Sequence, residues 1–255
     1  MDHFDVCVIG GGPSGFAAAI RAVDFDKRVA LIERGKVGGA GLFNGALSSK
    51  TLWELSESYK GIHATHLGYT VFDCDLNYSA VINEMHRAVA EKHTQMKQQI
   101  AYFQKQGRLQ YFQGHGQFLS PHTIDVNLGE KGHHEIHADH TVLAIGSRPR
   151  YLPDIPIDEK TILTSDGVAS LQDFPRSIVI LGAGVIGCEF ATIFSNYRQT
   201  KVFLIDKEER ILPFEDEDIA YAIASNLESN GVVIHHGASL EKMHIVDGKV
   251  EYILN

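Results

Sequence analysis

The sequence predicts an α/β fold built from two doubly wound units, and three observations carry that prediction. A glycine-rich turn with the spacing GxGxxG occurs twice, at Gly10, Gly12 and Gly15 and again at Gly182, Gly184 and Gly187. Each copy follows a short β-branched run and precedes an apolar, helix-forming stretch, the order strand, turn, helix. Each is then followed by a second apolar strand ending in an acid, Glu33 in the first copy and Asp206 in the second. A single such turn is weak evidence; it is the recurrence of the whole pattern that chance does not supply.

The first copy is "FDVCVIGGGPSGFAAAIRAVDFDKRVALIER". In a turn of this kind the first glycine permits the tight bend, the second lets backbone approach a pyrophosphate, and the third lets the helix pack on the strand. Glu33 stands where a carboxylate accepts ribose hydroxyls. The second copy is "RSIVILGAGVIGCEFATIFSNYRQTKVFLIDKEER", so two Rossmann-like dinucleotide-binding domains are expected. Asp206 would repel a 2′-phosphate and favours NAD, while Lys207 and Arg210 keep NADP open.

Between the copies, "LNYSAVINEMHRAVAEKHTQMKQQIAYFQKQGR" reads as one long amphipathic helix stopped near Gly107, with His86 and His93 on a solvated face. The alternating runs of "LQYFQGHGQFLSPHTIDVNLGEKGHHEIHADHTVLAIGS" read as a meander returning to a central strand, with His133 and His134 flanking a turn. A linker rich in Pro and Asp, "YLPDIPIDEKTILTSDGVASLQDFP", follows. The boundary is placed there, giving a first domain over 1–155 and a second over 156–255.

Composition narrows the function. With 44% apolar and 22% charged residues the chain can bury a sizeable core, and its net charge of −9 with no basic, aromatic-rich cluster argues against nucleic acid. No secretory leader and no apolar run of membrane-spanning length is read, so no membrane association and a cytoplasmic location are expected. The three cysteines, Cys7, Cys74 and Cys188, are too dispersed for a disulfide framework. Cys7 and Cys188 read as small buried hydrophobes, and Cys74 sits in a loop. Fourteen histidines, four of them in "GHHEIHADH", invite a metal site, but neighbours on a strand point to opposite faces, so no metal is expected.

Several stretches together resemble the pyridine nucleotide-disulfide oxidoreductases: the two glycine turns, "GGAGLFNGALSSK", "LAIGSRPRYLP" and "GAGVIGCEFATIF". The likeness runs from Phe4 onward, in the order and spacing of the family, and is nearest to its dihydrolipoamide dehydrogenase and soluble transhydrogenase branches. It implies FAD in the first domain and NAD or NADP in the second. Gly10, Gly12, Gly15 and Glu33 would hold the FAD pyrophosphate and ribose, with Gly38 and Gly39 beside them. The backbone of Gly114, His115 and Gly116 would meet the adenine, and Ala144, Ile145 and Gly146 would form the strand-end turn near the FAD. Gly182, Gly184, Gly187 and Asp206 would hold the nicotinamide nucleotide. Lys50 corresponds to the lysine beside the flavin N5, and Glu189 to the acid near the nicotinamide that can pair with it.

One departure is chemical. The family stretch reads G-G-T-C-L-N-V-G-C-I-P-S-K, and its two cysteines fall on Gly41 and Ala46. Neither residue can ionise or accept electrons, so dithiol exchange at this turn is excluded. A second departure is length: family members continue into an interface domain that builds a homodimer, so both domains are expected to be incomplete and the chain to be a fragment of a longer, dimeric parent. The leading expectation is an NAD(P)H oxidoreductase passing hydride to FAD and on to a non-disulfide acceptor, which could be a nicotinamide nucleotide, a quinone or oxygen. The rival is a non-catalytic module that binds FAD or NAD.

Overall fold

The computed structural model describes residues 2–64, 68 and 70–255. Its first elements are β1 (Asp2–Ile9), α1 (Pro13–Asp24), β2 (Val29–Glu33), α2 (Gly39–Phe43), α3 (Ala46–Ile62) and α4 (Tyr78–Lys105). There follow β3 (Leu109–Gln113), β4 (His115–Ser120), β5 (Thr123–Asn127), β6 (His133–Leu143), β7 (Ser177–Leu181), α5 (Val185–Tyr197) and β8 (Lys201–Ile205). The chain closes with α6 (Glu217–Ser229), β9 (Val233–His235), β10 (Leu240–Val246) and β11 (Lys249–Leu254). Two compact units interleave along it, one comprising Met1–Ser48 with His86–Arg148 and the other Ser49–Met85 with Pro149–Asn255.

The first unit is a sheet in the order β3-β2-β1-β6-β5-β4. β1 runs parallel to β2 and β6, and β2 parallel to β3, while β6, β5 and β4 form an antiparallel meander. The parallel strands are apolar at successive positions because both of their faces are covered. Val8, Val29 and Leu31 pack with Ala19 and Val23 of α1 and Val89, Met96 and Ile100 of α4. Cys7, Ile9, Ala30 and Ile32 point the other way, into Ile124, Val126, Ile136 and Ala138 of the meander. The result is three layers with the glycine turn at one end of the central strand.

The histidines lie close to where the sequence places them. His93 is partly exposed: its ring meets Phe43 edge-on at 5.2 Å, and partial burial, followed by the charges of Lys97 and Lys36, lowers its pKa. His86 is exposed as expected. His133 and His134 open β6 directly after a turn, paired with Asn127 and Val126 of β5 across the hairpin. That turn is made by Gly129 and Gly132, both at positive φ.

The second unit holds a parallel sheet in the order β7-β8-β9 and a separate β10-β11 hairpin. α5 buries Cys188, Phe190, Ala191, Ile193, Phe194 and Tyr197, so it is covered nearly all round. α3 belongs to this unit from Ser49 onward, because Asn196 Nδ2 on α5 donates to Ser56 Oγ at 3.1 Å and to Glu57 Oε1 at 2.6 Å. Tyr59 of α3 stacks obliquely on Tyr197, centroids 5.8 Å apart. A segment far upstream in sequence thus packs on the second glycine-turn helix.

In both turns the third glycine closes on the first. A Cβ on Gly15 would collide with the Gly10 carbonyl, and one on Gly187 with the Gly182 carbonyl. Gly15→Ala and Gly187→Ala are each expected to lower unfolding free energy by about 1–3 kcal/mol, measured by urea unfolding of the purified chain.

Candidate nucleotide-binding and redox site

The first turn sets the N-terminus of α1 at the end of β1, with Pro13 in the first helical turn, where its missing N–H costs nothing. Gly15 has no room for a side chain, for the steric reason given above, and a Cβ on Gly10 would collide with the Ala144 carbonyl. Gly12 is different. Its backbone is extended, φ −68 and ψ −176, and a Cβ there would meet nothing within 4 Å. The fold itself therefore does not ask for glycine at 12. A group lying against the N–H groups that open α1 does ask for it, and that is the position a pyrophosphate takes.

The surrounding residues complete a cradle. Glu33 is fixed by two backbone donors, Gly11 N–H to Oε2 and Gly35 N–H to Oε1, both at 2.6 Å, which leaves further lone pairs on each oxygen for ribose hydroxyls. Gly114 N–H donates to the Glu33 carbonyl at 2.9 Å, placing the β3–β4 turn beside that acid. A Cβ at Gly114 would lie 2.6 Å from the Asn127 carbonyl. His115 begins β4, exposed, and Gly116 follows over Ile32 and Ile9. Gly38 N–H donates to the Gly11 carbonyl at 2.8 Å, and Gly39 rides over Gly12, so that a Cβ on it would come 3.1 Å from the Gly12 Cα. Ala144 N–H donates to the Ile9 carbonyl at 2.8 Å, and Ile145 and Gly146 continue past the strand end, Ile145 well exposed. The structure thus gathers Gly10, Gly12, Gly15, Glu33, Gly38, Gly39, Gly114 and Ala144 around one mouth.

The second unit repeats the wiring. Ala183 N–H donates to Asp206 Oδ2 at 2.5 Å, as Gly11 does to Glu33, and Glu208 N–H donates to Oδ1 at 2.9 Å. Gly184 is again extended, φ −74 and ψ −175, with open space where a Cβ would stand. The two neighbouring cations are already engaged. Lys207 lies 3.7 Å from Glu208, and the Arg210 guanidinium donates to the carbonyls of Glu215 and Pro213 at 2.8 and 3.0 Å.

Lys50 and Glu189 meet within this second unit. Lys50 Nζ donates to both carboxylate oxygens of Glu189, at 2.7 and 2.8 Å, and Ser49 Oγ adds a third donor at 3.1 Å. The Glu189 side chain is 15% exposed and that of Lys50 61%, so the acid is anchored and the cation reaches out. Both line a cavity of about 770 Å³ with Trp53 and Glu57 of α3, Val185, Cys188 and Thr192 of α5, and Ile219 and Ile223 of α6. Ser49 and Trp53 were not singled out from the sequence. A helical spacing of three from Lys50 to Trp53 was the available signal.

The sequence profile of the family described as pyridine nucleotide-disulphide oxidoreductase matches residues 4–255. The chain belongs to this family. Its members bind FAD and NAD(P) and are oxidoreductases. Curated relatives include a dihydrolipoyl dehydrogenase of Bacillus subtilis, 35% identical over 93% of this chain and 51% of the relative. A soluble pyridine nucleotide transhydrogenase of Chromohalobacter salexigens is 34% identical over 95% and 52%. Among solved structures, the Cu(II) complex of the HOCl-induced flavoprotein disulfide reductase RclA from Escherichia coli superposes with a TM-score of 0.80 at 26% identity, covering 99% of this chain and 53% of that one. LpdA from Mycobacterium tuberculosis shares the fold with a TM-score of 0.86 at 22% identity, covering 100% and 55%. The chain spans about half the length of the relatives it matches.

Against the family pattern, the turn that carries its two cysteines is rebuilt here around small residues. Gly41 lies in α2, and a Cβ on it would collide with Pro13 Cγ and come 3.0 Å from Pro13 Cδ. The proline ring cannot swing aside, so α2 is seated against the glycine turn at a distance only glycine allows. Ala46 opens α3. Of the other cysteines, Cys7 and Cys188 are poorly suited to exchange. Burial pushes the Cys7 thiol up to about 12, and burial with the nearby Asp206 charge pushes Cys188 up to about 11. A raised thiol pKa keeps the unreactive protonated form at pH 8.

Two outcomes follow. Native chain treated with iodoacetamide at pH 8 is expected to label at half-buried Cys74, with Cys7 and Cys188 labelled only after denaturation, as read by peptide mass spectrometry. Gly41→Ala is expected to destabilise by about 1–3 kcal/mol in urea, through overpacking against Pro13.

Proposed function

We propose that this chain is the nucleotide-binding part of a FAD-dependent NADH oxidoreductase whose electron acceptor is not a disulfide. The observation that carries the reading is the pair of open middle glycines, Gly12 and Gly184, which the fold does not require and a bound pyrophosphate does. The absence of sulfur at positions 41 and 46 carries the second half, since no thiol stands where the family's dithiol chemistry is done.

FAD, when bound, supplies a two-electron acceptor for hydride from a dihydronicotinamide. Everything else is the work of this chain's own residues. The N–H groups opening α1 and α5 meet the negative charge of each pyrophosphate, with the positive end of the helix behind them. Glu33 and Asp206, each already held by two backbone donors, accept the ribose hydroxyls without needing to reorient. Lys50, which the resemblance matches to the lysine beside the flavin, would supply a positive charge favouring a negatively charged reduced ring, and Glu189 with Ser49 anchors that ammonium. The carboxylate of Asp206 and the engagement of Arg210 with two backbone carbonyls disfavour a 2′-phosphate, which supports NAD over NADP. Acceptors that need no protein thiol are a second nicotinamide nucleotide, a quinone or oxygen, and the likeness to the soluble transhydrogenases supports the first.

Reconstituted with FAD under anaerobic conditions, the chain is expected to lose its visible flavin absorbance on adding NADH, with NADPH about tenfold or more less effective. Bound FAD that NADH fails to bleach would refute the enzymatic reading and leave a binding module. Gly12→Ala is expected to keep the thermal midpoint and lose FAD. Lys50→Gln should slow flavin reduction by about 10–100-fold while FAD stays bound.

A further inference from the structure

A second cluster lies at the opposite end of β1 from the glycine turn, roughly 20 Å away at about 3.3 Å per strand residue. Strand register creates it. His3 on β1 is directly opposite His137 on β6, and His137 is in turn opposite Thr123 on β5. The His3 and His137 rings stack with centroids 5.0 Å apart and planes 16° from parallel. His122, just before β5, stacks on the other side of His137 at 5.8 Å and 19°. Asp139 is two residues along β6 from His137, hence on the same face, and its Oδ1 lies 3.0 Å from His3 Nε2. Among the described residues, one donor atom each from His3, His137 and Asp139 lies within 4.8 Å of the other two.

We propose that His3, His137 and Asp139 form a binding site for a divalent transition cation of the zinc class, separate from the nucleotide cradles. Two nitrogens and one carboxylate oxygen are the donor set that borderline cations of this kind prefer, leaving a fourth position for water. The cluster as a purely structural network is incomplete. His137 Nδ1 is buried with no hydrogen-bond partner among the described residues, a desolvation cost a ligand would offset. The His122 ring backs the stack, its Nδ1 3.1 Å from the Ala138 carbonyl, so the face presented to His137 is fixed. The His3 and Asp139 side chains are 58% and 46% exposed, which gives a cation entry and lets both swing the short distance to metal-bond length. The sequence could not show this grouping, because "GHHEIHADH" on its own alternates faces; its metal partner is supplied by the residue opposite on β1. A bound cation would tie the first strand residues to the central strand.

The test uses the tag-free chain, freed of metal with a chelator and titrated with ZnCl₂ by calorimetry, with thermal melts alongside. One Zn²⁺ per chain at micromolar affinity is expected, with a rise in melting midpoint of about 5 °C at saturating metal. His3→Gln and Asp139→Asn, both at exposed side chains, should each weaken Zn²⁺ binding at least tenfold and remove the midpoint shift while leaving the metal-free midpoint unchanged. His86→Gln, on an exposed part of α4, should bind as the parent does. No saturable binding below millimolar Zn²⁺, or binding that survives both substitutions, would overturn the proposal.

Discussion

The structure depends on a contact between two stretches of bare backbone: the third glycine of each turn against the carbonyl of the first. Gly15 on Gly10 and Gly187 on Gly182 bring the helix start down onto the strand end, closer than any side chain would allow. That approach fixes where the N–H groups opening α1 and α5 point. It also sets the next strand's acid within reach of the turn, where Gly11 and Ala183 donate to Glu33 and Asp206. Anion cradle and ribose acceptor are therefore consequences of one packing constraint, met twice in the same chain.

The glycines sort into two kinds once their surroundings are known. At 10, 15 and 187 a Cβ would strike neighbouring protein, so the fold selects glycine whether or not a ligand ever binds. At 12 and 184 a Cβ would strike nothing, so the fold does not by itself select glycine there. From sequence the two kinds are indistinguishable, since GxGxxG names positions and not the reason for each. Position 41 adds a third kind, in which loss of a side chain lets one helix settle on Pro13.

Much of the fold was legible in the sequence because its signals are local: β-branched runs, helical periodicity and glycine turns act over a few residues. The Lys50–Glu189 pair was legible only through the resemblance, as nothing in spacing links α3 to α5. What stayed hidden depends on register and on tertiary packing. The membership of α3 in the second unit follows from Asn196 reaching Ser56 and Glu57, a pairing no composition reveals. His93 sits on a polar helix face as its sequence suggests, and its edge contact with Phe43 comes from another element. The His3–His137 stack needs the parallel β1–β6 register, which sequence alternation along either strand does not contain.

Removing sulfur from this turn also redistributes electrostatic roles. In a site with a dithiol, a thiolate near the flavin supplies negative charge that changes with redox state. Here Lys50 and Glu189 of the second unit are paired, with Ser49, through three hydrogen bonds to a single carboxylate. Such a pair cannot store electrons, but under the proposed function it would hold a constant field while hydride is transferred. That property would suit a reaction in which donor and acceptor use the flavin in succession, and it would give the lysine and its anchor a use in a chain with no thiol at positions 41 and 46.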